Sequence, residues 1–547
     1  MRKRSILLLA GVVALLGTLV IGPAATAGPE RTSAGTVVLI HDQEPPNLQN
    51  NWVGNGTLAT AYILNNIWYG GQIRDGNAGW ALRNFASKPK LVKSNPHTVQ
   101  ITFAKNAQWS DGKPMTGADF RATWQVNINP NFNVNDRTGW SSIKSVVAKG
   151  KTATIVFKNP YADWENLVST GLYQAAAVTG KDMNQTFLNS IPVSSGPWKF
   201  DSWQKGVQIA VVRNPRFKVG APMKLDRVVW KYILDTNARF QAIKANEGQA
   251  TESQAQLQVA DFLNNKSYTV HAGAGYSFEH IDIQFGPKGH PALKQRFVRQ
   301  ALISGINRSQ IAGTLYKTIY PGLKPLQSTV FFPVDKQYYK PNYQKWSFNQ
   351  QNVINLLKKG GCTGGPDKPS ASNSDIFSCP GTGKLSFRFF TTTGNQLRAL
   401  TFEIMQKQLK SVGIEIVPRF QTSGVLFGTT RPSRDWDLMM FGFSSSPSWS
   451  ISALTPEYGC GGDDNEMAYC NRKVTAIFSK IERTLDANER AKLANMAESK
   501  YMVNDVATIP LFAKPFYLIG TTKLKGLVWN PTSEGYPWNV NGWSYTS

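Results

Sequence analysis

The chain has 547 residues, 41% of them hydrophobic and 11% aromatic, which is too apolar for a disordered protein and too long for one ordinary core. Its 60 Lys and Arg against 35 Asp and Glu give a formal charge of +25. Past the first few residues, however, no basic run exceeds Lys358-Lys359, and nucleic-acid recognition needs cations clustered on one element. The composition therefore fits a multi-lobed globular protein with a basic surface suited to an anionic cell envelope.

Residues 1–27 read as a secretory leader: Arg2, Lys3 and Arg4, an apolar run from Ile6 to Ile21, then Ala25-Thr26-Ala27. The run is shorter than the ~20 residues of a spanning helix, so cleavage after Ala27 and export are expected. No cysteine lies near that point, so no lipid-anchor signal is expected. Residues 97–103 (HTVQITF) and 151–157 (KTATIVF) alternate apolar and polar like half-buried strands. Residues 207–213 do the same after a turn at Ser194-Ser195-Gly196-Pro197, and Asn214-Pro215 ends that strand. Apolar residues at helical spacing predict helices over 291–304 and 396–411, and a helical pair over 471–502. Val474, Ile477, Phe478, Ile481 and Leu485 form one face of the pair, and Asp486 with Glu489 starts its second helix. Helices mixed with strands over this length predict an α/β chain built in lobes.

Four cysteines, Cys362, Cys379, Cys460 and Cys470, allow three disulfide pairings in an exported chain. The nearest-neighbour pairing closes two short polar loops that gain a clamp. A zinc site is the competing reading, but there is no Cys-x-x-Cys and the five histidines are scattered, so no metal and no cofactor are expected.

Catalytic patterns are absent: no Gly-x-Ser-x-Gly, no His-Glu-x-x-His, no phosphate-binding loop ending in Gly-Lys-Ser/Thr. Asp463-Asp464 lies in a Gly-rich loop between cysteines, where a solvated turn is expected. His280 and Asp282 share a strand face, but without a nucleophile they read as a structural hydrogen bond. No enzyme is expected, and no catalytic residue.

Residues 90–124 hold Trp109, Asp111, Gly112, Pro114, Thr116, Asp119 and Phe120 between a strand and a helix. This stretch resembles the Trp-x-Asp-Gly-x-Pro-x-Thr-Ala-x-Asp-Phe segment of bacterial extracellular solute-binding proteins of the dipeptide-, oligopeptide- and nickel-binding type, with Gly117 in place of Ala. Residues 195–217, 293–308 and 465–512 resemble further landmarks of that family in the same order. Locally, Asp111-Gly112 is a turn signal, Thr116 with Asp119 a helix start, and Trp109 a ring buried beneath the turn.

The resemblance implies a two-lobed periplasmic-binding-protein-like α/β fold with a two-segment hinge. One lobe would take about 35–276 plus 515–547, with an extra subdomain near 52–190, and the other about 277–514. It further implies a monomer that delivers a small solute or peptide to an ABC membrane permease, with no nucleic acid and no cofactor. Peptide-binding relatives carry a Gly-Trp-x-x-Asp stretch whose Asp pairs with the ligand's amino terminus. The matching residues here are Gly442, Phe443, Ser444, Ser445 and Ser446, so a serine stands where the carboxylate would be. Trp52, Trp140 and Trp449 are the other expected ligand contacts. Two further readings are a binding fold retained as an envelope scaffold without a transported ligand, and a secreted cell-wall hydrolase, for which no nucleophile–base or carboxylate pair is found.

Overall fold

The computed structural model describes residues 35–49, 57–77, 79–220, 222–444, 451 and 454–546. The leader expected at 1–27 lies outside them, as do Trp52, Ser446 and Trp449. Among the described residues, no helix is long and apolar enough to cross a membrane.

Ten strands form one continuous sheet: β1 (Thr36–His41), β2 (Trp198–Gln204), β3 (Gln208–Arg213), β4 (Arg227–Tyr232), β5 (Ala250–Gln254), β6 (Tyr268–Ile283), β7 (Ser386–Thr392), β8 (Glu415–Gln421), β9 (Leu438–Ser444) and β10 (Thr508–Thr521). Their order across the sheet is β8-β7-β9-β6-β10-β5-β1-β4-β3-β2. The two long strands β6 and β10 therefore stand at its centre and join two lobes. They pair antiparallel from Tyr268 opposite Thr521 to Asp282 opposite Thr508, with the register broken between Ala274 and Phe278. In one half β1 pairs parallel with β4 and β5, and in the other β7 pairs parallel with β8 and β9; β6 with β9 and β5 with β10 pair antiparallel. The carboxyl ends of these strands carry His41, Gln254, Thr392 and Ser444, and in open α/β sheets such ends are where ligands collect.

One core lies in the first lobe and runs from Val37 and Leu39 through Trp109, Trp198 and Trp230 to Trp543; a second gathers Ile281, Leu302, Phe387, Met405 and Leu511 of the second lobe and continues into Ile40, Phe240 and Phe262 of the first. A third packs the helices Arg472–Ile481 and Ala487–Ala497 through Val474, Phe478, Ile481 and Ala494. Asp486 caps the second of these helices by accepting from Glu489 N at 2.8 Å, as its sequence pattern implies. Leu485 departs from expectation: the first helix ends at Ile481, so Leu485 sits in the connecting turn, 39% exposed. The helix expected over 291–304 is also split, into a 3-10 turn Pro291–Lys294 and a helix Arg296–Gly305. Gln295 between them is extended, with φ −83° and ψ 121°.

A four-stranded antiparallel sheet, Lys90–Ser94, His97–Thr102, Thr152–Phe157 and Ile143–Lys149 in spatial order, is attached to the first lobe. His97–Thr102 alternates buried and half-buried residues, as its sequence alternates. The helix Gly117–Ile128 packs on this sheet, and its start is fixed by Asp119, whose Oδ2 accepts from Thr116 N (2.8 Å) and from the buried Trp109 indole (3.2 Å). Gly117 has a steric cause: a Cβ there would stand 2.3 Å from the Thr152 carbonyl oxygen.

Cysteines pair as 362–379 and 460–470. Peptide mapping without reductant is expected to recover these two linkages and no crossed ones. Each short-loop bridge should contribute roughly 2–4 kcal/mol, and unchanged stability on reduction would contradict the clamp role.

Candidate functional site

Successive residues of a strand point to opposite faces, and this sorts the side chains at the crossing of β6 and β10. On one face lie Tyr276, Phe278, Leu326, Phe332 and Ala513, with Tyr339 and Phe443 partly buried against them. The rings meet edge to face: Phe278 with Phe332 at 5.6 Å, Tyr276 with Phe332 at 6.0 Å, Phe278 with Phe443 at 6.3 Å. Tyr276 donates to Asp335 Oδ1 at 3.1 Å, and the hydroxyls of Ser277 and Ser444 bridge β6 to β9 at 2.8 Å.

The opposite face is charged. Glu279 accepts from Arg398 Nε (2.6 Å) and Nη2 (3.2 Å) and pairs with Lys514 Nζ at 3.0 Å; Arg398 also donates to Thr392 Oγ1 at 2.7 Å. All three charged side chains are buried. Burial would raise the Glu279 carboxyl, but Arg398 and Lys514 together draw it down to about 2. Burial, with Arg398 adding to it, pushes the Lys514 ammonium down to about 8 against the pull of Glu279. Gly442 completes the cluster because a Cβ there would stand 2.5 Å from Lys514 Nζ.

The first lobe supplies the adjoining polar groups. Asp42, just past β1, pairs with Arg239 at 3.1 Å; Arg239 is buried while the Asp42 side chain is 39% exposed. Burial favours the neutral Asp42 carboxyl, yet Arg239, then His41 and Lys514, hold it below its ordinary value. Tyr62 donates to Glu252, and His41 bonds Tyr536. Burial pushes Glu252 up to about 7 and His41 down to about 4. The lobes also touch directly: Asn395 donates to Gln254 (3.3 Å), Thr236 to the Gly394 carbonyl (3.4 Å), and Ala162 N to the Glu482 carbonyl (2.7 Å). Such an arrangement is able to hold and orient a polar solute. Its described carboxylates are matched to cations or tyrosines: Glu279 to Arg398 and Lys514, Asp42 to Arg239, Glu252 to Tyr62.

Gly442, Phe443 and Ser444 come together at the end of β9, beside the crossing. Trp140 stands elsewhere. Only 5% exposed, it packs 6.0 Å from the Phe120 ring inside the first lobe, and its carbonyl accepts from the Trp124 indole at 3.2 Å. In this arrangement it is a core residue, because the helix Gly117–Ile128 covers its ring. His280 and Asp282 lie 3.3 Å apart, with Thr508 donating to Asp282 at 3.0 Å, a fully buried structural set. Asp464 is paired with Arg431 at 2.8 Å. Among the described residues no cluster of His, Cys, Asp and Glu has the makings of a metal site.

Sequence reasoning missed Asp42, Arg239, Glu252, Glu279, Arg398 and Lys514. A faint signal exists for two of them: Lys514 interrupts the apolar run TIPLFAKPFYLIG, and Glu279 sits inside YSFEHIDI. A charge within a buried strand must find a partner.

Two lobes joined through paired central strands, with polar and aromatic side chains gathered at the crossing, define a solute-binding protein. The model of the bacterial extracellular solute-binding proteins, family 5, matches residues 82–465, and the chain belongs to that family. It is 25% identical over 463 residues to the oligopeptide-binding protein AppA of Bacillus subtilis (strain 168), covering 81% of this chain and 80% of the relative. The solved structure of the B. subtilis AppA protein in complex with a nonapeptide superposes with a TM-score of 0.82 at 20% identity, covering 94% of this chain and 99% of that one. NikZ of Campylobacter jejuni, solved in complex with Ni(L-His), gives 0.81 at 18% identity, covering 94% and 100%.

Proposed function

We propose that the chain is the solute-capturing component of an ABC importer and that its solute is a peptide or peptide-like molecule enclosed between the lobes. The observation that carries this reading is the crossing itself. Among the described residues β6 and β10 alone pass between the halves of the sheet, and their ladder is broken at Ala274–Phe278, so a solute that touches both lobes favours their closure. The names of the relatives, oligopeptide-binding proteins of Bacillus and Mycobacterium, support the peptide class. Fold likeness to a protein solved with a nickel–histidine complex does not choose the ligand by itself.

In this reading the first lobe comprises about 35–276 and 515–547, including a subdomain near 52–190, and the second about 277–514. Gly442, Phe443 and Ser444 lead into Ser446 and Trp449, which with Trp52 form the solute-facing set. The protein works outside the cell membrane as a monomer, hands its solute to a membrane permease, and performs no covalent chemistry.

Calorimetry with one peptide in free and N-acetylated form tests this. The parent protein is expected to bind one of the two forms. Ser446→Asp is expected to strengthen binding of the free-amine form by ~10-fold through a charge-assisted bond, and to weaken the acetylated form. No binding of either form, for a series of peptides of different length and charge, would sink the peptide reading.

A further inference from the structure

The second lobe carries a cavity of about 520 Å³ lined by Arg296, Gln300, Asn471, Arg472, Lys473, Lys500, Tyr501, Asn504 and Asp505. It opens at the amino end of the helix Arg472–Ile481, whereas the interlobe contact at Glu482 lies just past the carboxyl end, about 15 Å away along a ten-residue helix. The cavity is therefore separate from the space between the lobes.

We infer that this cavity is a second binding site, one for a phosphate-bearing anion. Four of its nine lining side chains are cationic and one is a carboxylate. That carboxylate, Asp505, is already committed: it pairs with Arg296 at 3.0 Å and accepts from Asn471 Nδ2 (2.8 Å) and the Tyr469 hydroxyl (2.9 Å). Among the described residues Arg472, Lys473 and Lys500 form no ion pair, and Lys473 Nζ lies over the Tyr501 ring at 5.6 Å.

More positive charge surrounds them. Lys345 reaches the rim by donating to Asn504, and Arg299 lies beneath the floor with its Nε 2.6 Å from the Asp505 carbonyl. Burial pushes the Arg299 guanidinium down to about 10, against the pull of Asp505, and Arg296 adds to the depression. The helix start turns its positive end toward the same space, where Asn471 accepts from Lys473 N at 3.0 Å.

Three uncommitted cations around one concavity repel one another, and an arriving anion relieves that repulsion. A single carboxylate offers one charge. A phosphoryl group offers up to two and several strong acceptor oxygens, which suits the mix of Arg, Lys and amide donors here. A volume of a few hundred cubic ångströms is ample for a phosphate with part of the molecule that bears it. The same chemistry occurs in soluble phosphates and in the headgroups of anionic lipids.

Pyrophosphate is the soluble probe, and phosphatidylglycerol vesicles, with phosphatidylcholine vesicles as reference, are the lipid probe. The full chain is compared with the double variant Lys473→Gln, Lys500→Gln and with a control double variant, Lys88→Gln, Lys90→Gln, on the attached subdomain. All four lysines are exposed, so the melting temperature is expected to stay unchanged. Saturable one-to-one binding of pyrophosphate, weakened by ~10-fold or more in the cavity variant and unaltered in the control, is the expected result. Selective loss of phosphatidylglycerol binding in the cavity variant would identify a lipid headgroup as the source; loss of pyrophosphate binding alone would identify a soluble phosphate. Absence of saturable binding to either probe overturns the inference. So does an equal loss in both variants, which would reveal only a diffuse basic surface. Peptide binding between the lobes is untouched by any of these outcomes.

Discussion

Replacing Glu279 with Gln is expected to lower the unfolding free energy by about 3–5 kcal/mol at neutral pH, because it leaves Arg398 and Lys514 buried without their shared carboxylate. The pH dependence follows from the direction of the shift. The carboxyl has an ordinary value of 4.5 and is drawn down to about 2 in the folded protein. Between those values the unfolded chain takes up a proton that the folded chain refuses. The stabilisation is thus fully present above pH 4.5 and is lost as the pH falls through 2. The difference between parent and variant, measured by chemical denaturation, should accordingly shrink below pH 4.5. A difference that stays constant over that range, or one under ~1 kcal/mol at neutral pH, would remove the electrostatic account of the cluster.

Trp140→Ala is expected to destabilise the first lobe by about 3–5 kcal/mol, the usual cost of emptying a buried indole site. The ring is 5% exposed and packed on Phe120, so the missing volume has no simple way to refill. A clearly lowered melting temperature with unchanged solute affinity of the folded protein is the expected outcome. An unchanged melting temperature with weakened affinity would instead make Trp140 a solute contact.

Elements with a strong period were legible in the sequence. The alternation of His97–Thr102 matches its half-buried strand, and the Thr116–Asp119 pair starts a helix. Tertiary geometry was not. Gln295 breaks an otherwise continuous helical pattern by adopting an extended conformation, and Leu485 leaves its apolar face because the helix stops at Ile481. The charged cluster was the least legible part. Glu279, Arg398 and Lys514 are separated by at least 116 residues along the chain; β6 and β10 carry the first and last, and the helix Gln396–Lys410 brings Arg398 to them. For Gly442 the sequence marks its place in a motif, but the cause, a lysine head beneath it, appears only in three dimensions.

The centre of the sheet behaves mechanically as a torsion rod. Sixteen residues of β6 and fourteen of β10 run without a break in the chain through both lobes, so neither lobe can slide away from the other. A turn of one lobe against the other about a shared axis would be absorbed between Ala274 and Phe278, where β6 and β10 have no paired residues to separate. Motion of this kind has one principal coordinate, an angle. A membrane partner that gripped both lobes would therefore sense solute capture as the setting of a dial, and the chemical nature of the solute would reach it only through the angle at which the dial comes to rest.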